Sequence, residues 1–351
     1  MVFLYVQILG EVVTETECLG KMIAPCQRRP RKMRGGVVQI NIIHACDKTC
    51  LNCTQGSNLI GEANIMSLGQ FEEAVLSLKS YWGVVGIFGG NPAMHPHFEE
   101  ICNILQKYIS YEQRGLWCNH PKGKGKIMEK TFNPGISNLN VHMDKSAYEE
   151  FKRDWPASRP FGLDTDSRHS PPWVAMCDLD ISKEKQWELI SNCDINQHWS
   201  AMIGIFRGKL RGWFCEIAGA QSILHQDDPD YPDTGLDLSC DPLWWQRLMY
   251  PAFVEQVRKH CHECGVPLRG FGSLALDPQG SNQVSKTHES VYHPKAHREM
   301  EIVTELSQIG CPLPSVIDYI GNANRKNNEK AKCETGSPGS DCSEPHRHGG
   351  R

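Results

Sequence analysis

Val37-Val38-Gln39-Ile40-Asn41-Ile42-Ile43, followed within three residues by Cys46-Asp47-Lys48-Thr49-Cys50-Leu51-Asn52-Cys53, decides how this chain is read. The first run is apolar and β-branched, the pattern of a strand. The second places three cysteines at CxxxCxxC spacing directly after it. Three thiolates from one tight loop can hold three irons of a cubane cluster and leave the fourth iron open, whereas an electron-transfer cluster takes four cysteines. A zinc loop is the competing reading, but zinc sites usually show two CxxC pairs or a Cys/His mixture. Cys46, Cys50 and Cys53 are therefore the first metal-ligand candidates.

Downstream, strand and helix signals alternate. Ser67 with Gln70 forms a capping box for a helix through Phe71, Ala74, Val75 and Leu78. Val84-Val85-Gly86-Ile87-Phe88 reads as a fully buried strand, running into Gly89-Gly90-Asn91-Pro92 and then a helix around Phe98, Ile101 and Ile104. Further βα units are predicted from Gly115-Leu116-Trp117-Cys118, Leu139-Asn140-Val141-His142 and Trp173-Val174-Ala175-Met176. Repeated βα units predict a parallel sheet with right-handed crossovers, a barrel or part of one. Functional residues then gather at the C-terminal ends of the strands.

After a helix from Ser182 through Trp187, Leu189 and Ile190 comes Cys193. Ser200–Phe206 and Gly212–Cys215 predict a hairpin around Arg207-Gly208-Lys209-Leu210. A helix through Phe253, Val254 and Val257 ends at Cys261-His262-Glu263-Cys264-Gly265. Cys193, Cys215, Cys261 and Cys264 thus supply four thiolates to a second unit, a set that could equally hold a structural zinc. His260 and His262 read as exposed helix-end residues, and Asp227–Asp233 as a solvated acidic turn. Residues 294–309 carry the spacing of an amphipathic helix through Met300, Ile302, Val303 and Leu306. The expected divisions are a lead-in (1–35), a barrel (36–190), a cysteine-rich unit (191–275), a helical extension (276–320) and a disordered tail (321–351).

At 351 residues and 40% hydrophobic content, the chain can bury one large core or two smaller ones. A net charge of −4 argues against a nucleic-acid surface, and the basic run Arg28–Arg34, without interleaved aromatics, reads as a solvated arm. Met1–Leu9 is apolar but lacks a basic flank and is too short to span a membrane. Sixteen cysteines in a chain of this length and type fit metal-bound thiolates in a reduced cytoplasm better than disulfides. Cys18 and Cys26 have no partner pattern and read as bystanders.

With these motifs in place, the chain resembles the radical S-adenosylmethionine (radical SAM) enzymes, over roughly residues 37–270. That resemblance implies an α/β fold with a partial (β/α)6 TIM-like barrel. It also implies a 4Fe–4S cluster whose open iron binds SAM, and reductive cleavage to a 5′-deoxyadenosyl radical that abstracts hydrogen from substrate. Gly89-Gly90-Asn91-Pro92 resembles the family's GGEP motif, with Asn where the family has Glu; its third residue would offer an acceptor to the SAM ammonium. Asn119 stands where relatives show TNG, and Asn52 where many carry an aromatic beside the adenine. The second cysteine set resembles SPASM/Twitch auxiliary-cluster domains, implying a second 4Fe–4S cluster. Six residues separate Gly208 from Cys215, where the family form has four; Cys240, preceded by Gly235 at the family interval, is a rival ligand.

The resemblance leads to an enzyme acting on a small, sugar-like metabolite by dehydrogenation or epimerisation, fed by an electron donor such as flavodoxin or ferredoxin. Cys118 and Cys177, at or past predicted strand ends, are the thiols that could reach the cavity as catalytic groups. A peptide-modifying maturase is the alternative, against which stand the 35 or so residues before the barrel, too few for a recognition domain. A zinc-stabilised binding module without enzymatic activity is the third reading.

Overall fold

The computed structural model describes residues 13–21, 36–57, 59, 64–163, 171–193, 195, 200–239, 243–246, 251–268, 280–291 and 300–309. The chain divides into a unit Met1–Gly310 and a unit Cys311–Arg351, and all described residues belong to the first. The predicted tail, the basic run Arg28–Arg34, Cys26 and Cys240 lie outside the described residues.

Strand β1 (Val37–Ile43) is buried along its whole length and forms the middle of a five-stranded sheet. On one side lies β2 (Val84–Gly89), parallel, with Val37 opposite Val84; on the other lies β4 (Ser200–Phe206), also parallel, with Val37 opposite Ser200. The sheet ends in β3 (Arg114–Leu116), parallel to β2, and in β5 (Lys209–Trp213), antiparallel to β4. β1, β2 and β4 are buried along their lengths and mostly apolar, because parallel strands of this kind are covered on both faces. The molecule is a mixed α/β fold with a mainly parallel sheet.

The local signals hold where they are strongest. α2 (Leu68–Ser77) opens on the Ser67/Gln70 capping box, with the Ser67 hydroxyl accepting from Gln70 N and the Gln70 side chain accepting from Ser67 N. It buries Phe71, Ala74 and Val75 and packs on α3 (Phe98–Tyr108), which buries Phe98, Ile101, Cys102 and Leu105. Two further helices follow, α4 (Gly125–Thr131) and α5 (Lys145–Asp154). α6 (Lys183–Ser191) begins where Ser182 caps Lys185 N. The β4–β5 turn is the two-residue Arg207-Gly208, with φ of 48° and 75°, as the strand twist favours.

Three expectations fail. Leu139–His142 forms no strand; the sheet edge continues only as isolated parallel bridges, Trp117 to Asn138 and Asn140 to Phe161. His142 and Met143 turn the chain through positive φ, 48° and 62°, which ends extended pairing. Trp173–Met176 is likewise no strand but a turn entering a 3-10 segment at Met176. Pro171 and Pro172 precede it without N–H groups, and its bonds go elsewhere: Ser285 N donates to Trp173 O, and Ala175 N to Ser285 Oγ. Over 300–309 the predicted helix is replaced by β7 (Met300–Ile302), parallel to β6 (Asn282–Val284), and a 3-10 turn Leu306–Ile309. Val303 N extends that pairing to Val284 O.

Among the described residues the main sheet therefore has five strands with one antiparallel edge. β4 takes the position beside β1, so the hairpin expected in a separate cysteine-rich unit shares the main sheet. Behind β4 and β5 packs α7 (Glu216–Leu224), a helix no sequence signal announced, whose residues from Ile217 to Leu224 are all buried. α8 (Pro251–His260) packs against α7, and α1 (Glu15–Lys21) against α6.

Candidate metal and cofactor centres

The CxxxCxxC loop leaves the C-terminal end of β1 and is held from several directions. Trp173 Nε1 donates to Cys53 O at 2.9 Å, and His44 Nε2 meets Gln55 O at 2.7 Å. Asn52 sits at φ 52°, a conformation asparagine tolerates, and is fully buried. Its N–H donates to Asn282 Oδ1 at 3.3 Å, and its own Oδ1 accepts from Gln283 N at 3.1 Å. Position 52 thus staples the loop to β6, which accounts for a small amide here in place of an aromatic ring.

Cys50 is buried, while Cys46 and Cys53 are partly exposed. Burial pushes the Cys46 thiol up to about 11, against the pull of Lys48 N–H; Cys53 is close enough to add to the rise. Cys46 Sγ accepts from Lys48 N at 3.4 Å and from Asn119 Nδ2 at 3.2 Å. Asn119 is buried, and its Oδ1 has no hydrogen-bond partner. A buried amide that gives its nitrogen to a cysteine sulfur and keeps an unpaired oxygen has an acceptor that fits a polar ligand at this loop.

The Gly-Gly turn follows β2. A Cβ on Gly89 would lie 2.1 Å from Ile43 O, and one on Gly90 2.2 Å from Ala45 O. Gly90 N and Asn91 N donate to those same carbonyls at 2.8 Å each. Both glycines are required because β2 runs on beside the backbone entering the cysteine loop; the close approach they permit is to this chain itself. Pro92 starts a 3-10 turn, Pro92–Met94, capped by Asn91 Oδ1 on Ala93 N. Asn91 Nδ2 donates to Asp47 Oδ1 at 3.1 Å and His120 O at 3.2 Å.

The single S–H of Cys118 is shared between Asn91 Oδ1 at 3.3 Å and His120 O at 3.2 Å, and burial raises the thiol to about 12. It is a protonated thiol beside the loop. Cys177, the other catalytic candidate, lies elsewhere: its N–H bonds to His262 O, and its exposed thiol faces Thr287. Two ion pairs flank the loop, Lys48–Asp144 at 2.5 Å and Lys122–Asp47 at 2.6 Å.

The second cysteine set is brought together from distant elements. Cys193 follows α6, Cys215 caps α7, and Cys261 and Cys264 follow α8; all four are buried and line one pocket. Phe214, Ile217 and Val266 complete its wall. Burial raises Cys215 to about 12, Cys193 adding to the rise, and pushes Cys261 and Cys264 well above the ordinary thiol value. Each of these three thiols feels Cys193. Among the described residues no three His, Cys, Asp or Glu side chains already close on one point as a single-ion site. The four sulfurs border a space.

Two surprises surround this cavity. His260 and His262, expected at the surface, are buried, and His260 lines the cavity. His260 Nδ1 meets Gln221 Oε1 at 2.9 Å and its Nε2 meets Thr234 Oγ1 at 2.7 Å; His262 Nδ1 meets Gln186 Oε1 at 2.6 Å. Gln221 Nε2 and His288 Nε2 both reach Glu263 O, at 2.9 and 2.6 Å, and so brace the Cys261–Cys264 turn. Cys18 is fully buried too, its thiol raised to about 12 by burial, with Cys193 contributing. Nothing in its sequence neighbourhood signalled that α1 would bring it there.

No protein-family model matches the chain, and no curated protein matches it. Among solved structures it is similar to the crystal structure of BtrN in complex with AdoMet and 2-DOIA. The TM-score is 0.36 at 13% identity, over 65% of this chain and 92% of that one. Both centres accordingly stand on their own residues. Among the described residues no helix is long and apolar enough to cross a membrane.

Proposed function

We propose that this chain is a radical SAM enzyme that takes a hydrogen atom from a small, sugar-like substrate. The observation that carries the proposal is the loop itself: three cysteines at the end of a central parallel strand, one sulfur already accepting an amide N–H from Asn119, whose buried oxygen has no partner. When bound, a 4Fe–4S cluster with an open iron, together with SAM, supplies reductive cleavage to a 5′-deoxyadenosyl radical.

The chain's own residues do the rest. Cys46, Cys50 and Cys53 would hold three irons, giving up protons as metal binds. Asn119 N–H on Cys46 Sγ stabilises the sulfur's negative charge and so favours the reduced state. Trp173, Asn282 and Gln283 fix the loop's shape from behind. Cys118, kept protonated by burial, is a hydrogen donor beside the loop, the group an epimerisation needs. Cys177, placed by the Cys261–Cys264 turn, is given no such part. Cys193, Cys215, Cys261 and Cys264 would hold the second centre, a 4Fe–4S cluster in this reading, with a four-thiolate zinc site as the alternative that a metal count decides.

The deciding experiment counts iron, sulfide and zinc per chain on anaerobically purified protein, beside a variant with Cys46, Cys50 and Cys53 all changed to Ala. About eight irons falling to about four is expected. Four irons with one zinc would make the second centre structural; zinc without iron after reconstitution would end the radical SAM reading.

A further inference from the structure

We propose that Asp47, in place of Asn91, is the group that receives the ammonium of SAM, and that Lys122 holds that place until SAM arrives. This rests on the radical SAM reading above. It starts from the hydrogen-bond capacity of Asn91. A side-chain amide has two N–H donors and two acceptor sites on oxygen. Asn91 is fully buried: Nδ2 gives both N–H donors to Asp47 Oδ1 and His120 O, and Oδ1 accepts from Ala93 N and shares the Cys118 S–H with His120 O. It has little left to offer a ligand.

What Asn91 does instead is aim Asp47. This carboxylate follows Cys46 directly, takes the Asn91 N–H on Oδ1, and turns Oδ2 to Lys122 Nζ at 2.6 Å. The carboxylate side chain is 21% exposed and the lysine 36%, so the pair opens to solvent at the rim of the loop. Lys122 stands on a turn with φ of 51°, followed by Gly123 at 77°; its backbone N donates to His120 Nδ1 at 3.0 Å, and its side chain reaches Asp47 from this turn. Lysine ends in a primary ammonium, and so does the amino-acid end of SAM. One can replace the other on Oδ2 with the same charge and the same donors.

The neighbouring carboxylates are committed elsewhere. Asp144 binds Lys48 while capping α5 through Ala147 N at 3.0 Å and Ser146 Oγ at 2.6 Å. Glu150 accepts from Gly123 N and faces His120. Of the two rim carboxylates paired with a lysine ammonium, Asp144 is also held by its helix cap, whereas the Oδ2 of Asp47 meets Lys122.

The test measures binding, not turnover. Equilibrium dialysis of labelled SAM against cluster-loaded protein is compared for wild type, Asp47→Asn and Lys122→Met, with iron counted in each. Asp47→Asn should weaken SAM by ~10-fold or more at unchanged iron. Lys122→Met, by removing a competitor, should tighten it ~3-fold. Methylthioadenosine, which lacks the ammonium, should bind all three proteins alike. Wild-type affinity in Asp47→Asn, or equal loss of SAM and methylthioadenosine, overturns the assignment. If Asp47→Asn fails to hold iron, Lys122→Met decides alone, and unchanged or weaker SAM binding there is fatal. Iron-loaded wild type that binds no SAM would instead remove the radical SAM reading beneath it.

Discussion

The three cysteines between Cys46 and Cys53 come from eight consecutive residues, whereas Cys193, Cys215, Cys261 and Cys264 reach their cavity from the ends of three helices. The first centre is half open, ringed by Asp–Lys pairs and by amides. The second has all four cysteines buried, is walled by Phe214, Ile217 and Val266, and is braced by buried histidines. A loop centre needs only its strand and its staples to exist, so its loss should be chemical and local. An assembled centre is part of the packing, and disturbing it should also disturb the fold.

The largest effect belongs to the loop. Cys50→Ala should abolish formation of 5′-deoxyadenosine from SAM while leaving the circular dichroism spectrum intact. Turnover at the native rate in that variant would contradict the assignment of the loop outright. Cys261→Ala should remove about four irons, those of the second centre, while the loop keeps its own complement. It should also lower the unfolding midpoint in urea, which Cys50→Ala does not; equal destabilisation by both would erase the distinction drawn here.

Acid should separate the two regions further. Burial, aided by the charge of His288, lowers His225 to about 3, and burial lowers His288 to about 4, although its bond to Glu263 O pulls the other way. A histidine depressed in the folded state binds its proton first when unfolded, at a pKa near 6.5. Stability from this network is therefore full above about pH 6.5 and falls below it, by about 1.4 kcal/mol per pH unit for each histidine. His225→Phe, which keeps a ring against Tyr231, should flatten that slope; urea midpoints from pH 7 to 5 would show it, and an unaltered slope would refute it.

The smallest effect is at the loop's rim. Burial pushes Asp144 up, but Lys48, Ser146 and Ala147 N–H outweigh it and hold the carboxyl below its usual range. Its folded value lies below its unfolded one, so its contribution is present above about pH 4 and is lost only as pH falls further. Asp144→Asn, which keeps the helix cap, should cost less than about 1 kcal/mol at pH 7. A larger loss in urea would mean that Lys48 cannot be left unpaired.

What could be read directly were features whose cause is local. β1 announces itself by branching and apolarity, α2 by a capping box that forms as written, α6 by Ser182, and the hairpin by Arg207-Gly208. The glycines of the Gly-Gly turn were also legible as necessary, though their reason was not. It is the passage of Ile43–Ala45 alongside that excludes a Cβ, and only the paired strands reveal it. α7 was invisible because Ile217-Ala218-Gly219-Ala220 presents no polar face: a helix buried all round has no amphipathic period to detect. Trp173–Met176 and Met300–Ile302 misled because an apolar run does not say which backbone will pair with it.

The amino acids by themselves determined the three-thiol loop, its strand and the chemistry three adjacent cysteines can support, because spacing along the chain sets distance when the residues share one turn. Tertiary structure alone decided that Asn91 faces inward and Asp47 outward, that His260 and His262 are buried, and that Cys18 comes near the four cysteines the sequence had grouped. Those facts depend on hydrogen bonds and packing between residues far apart in sequence, whose partners no local pattern names.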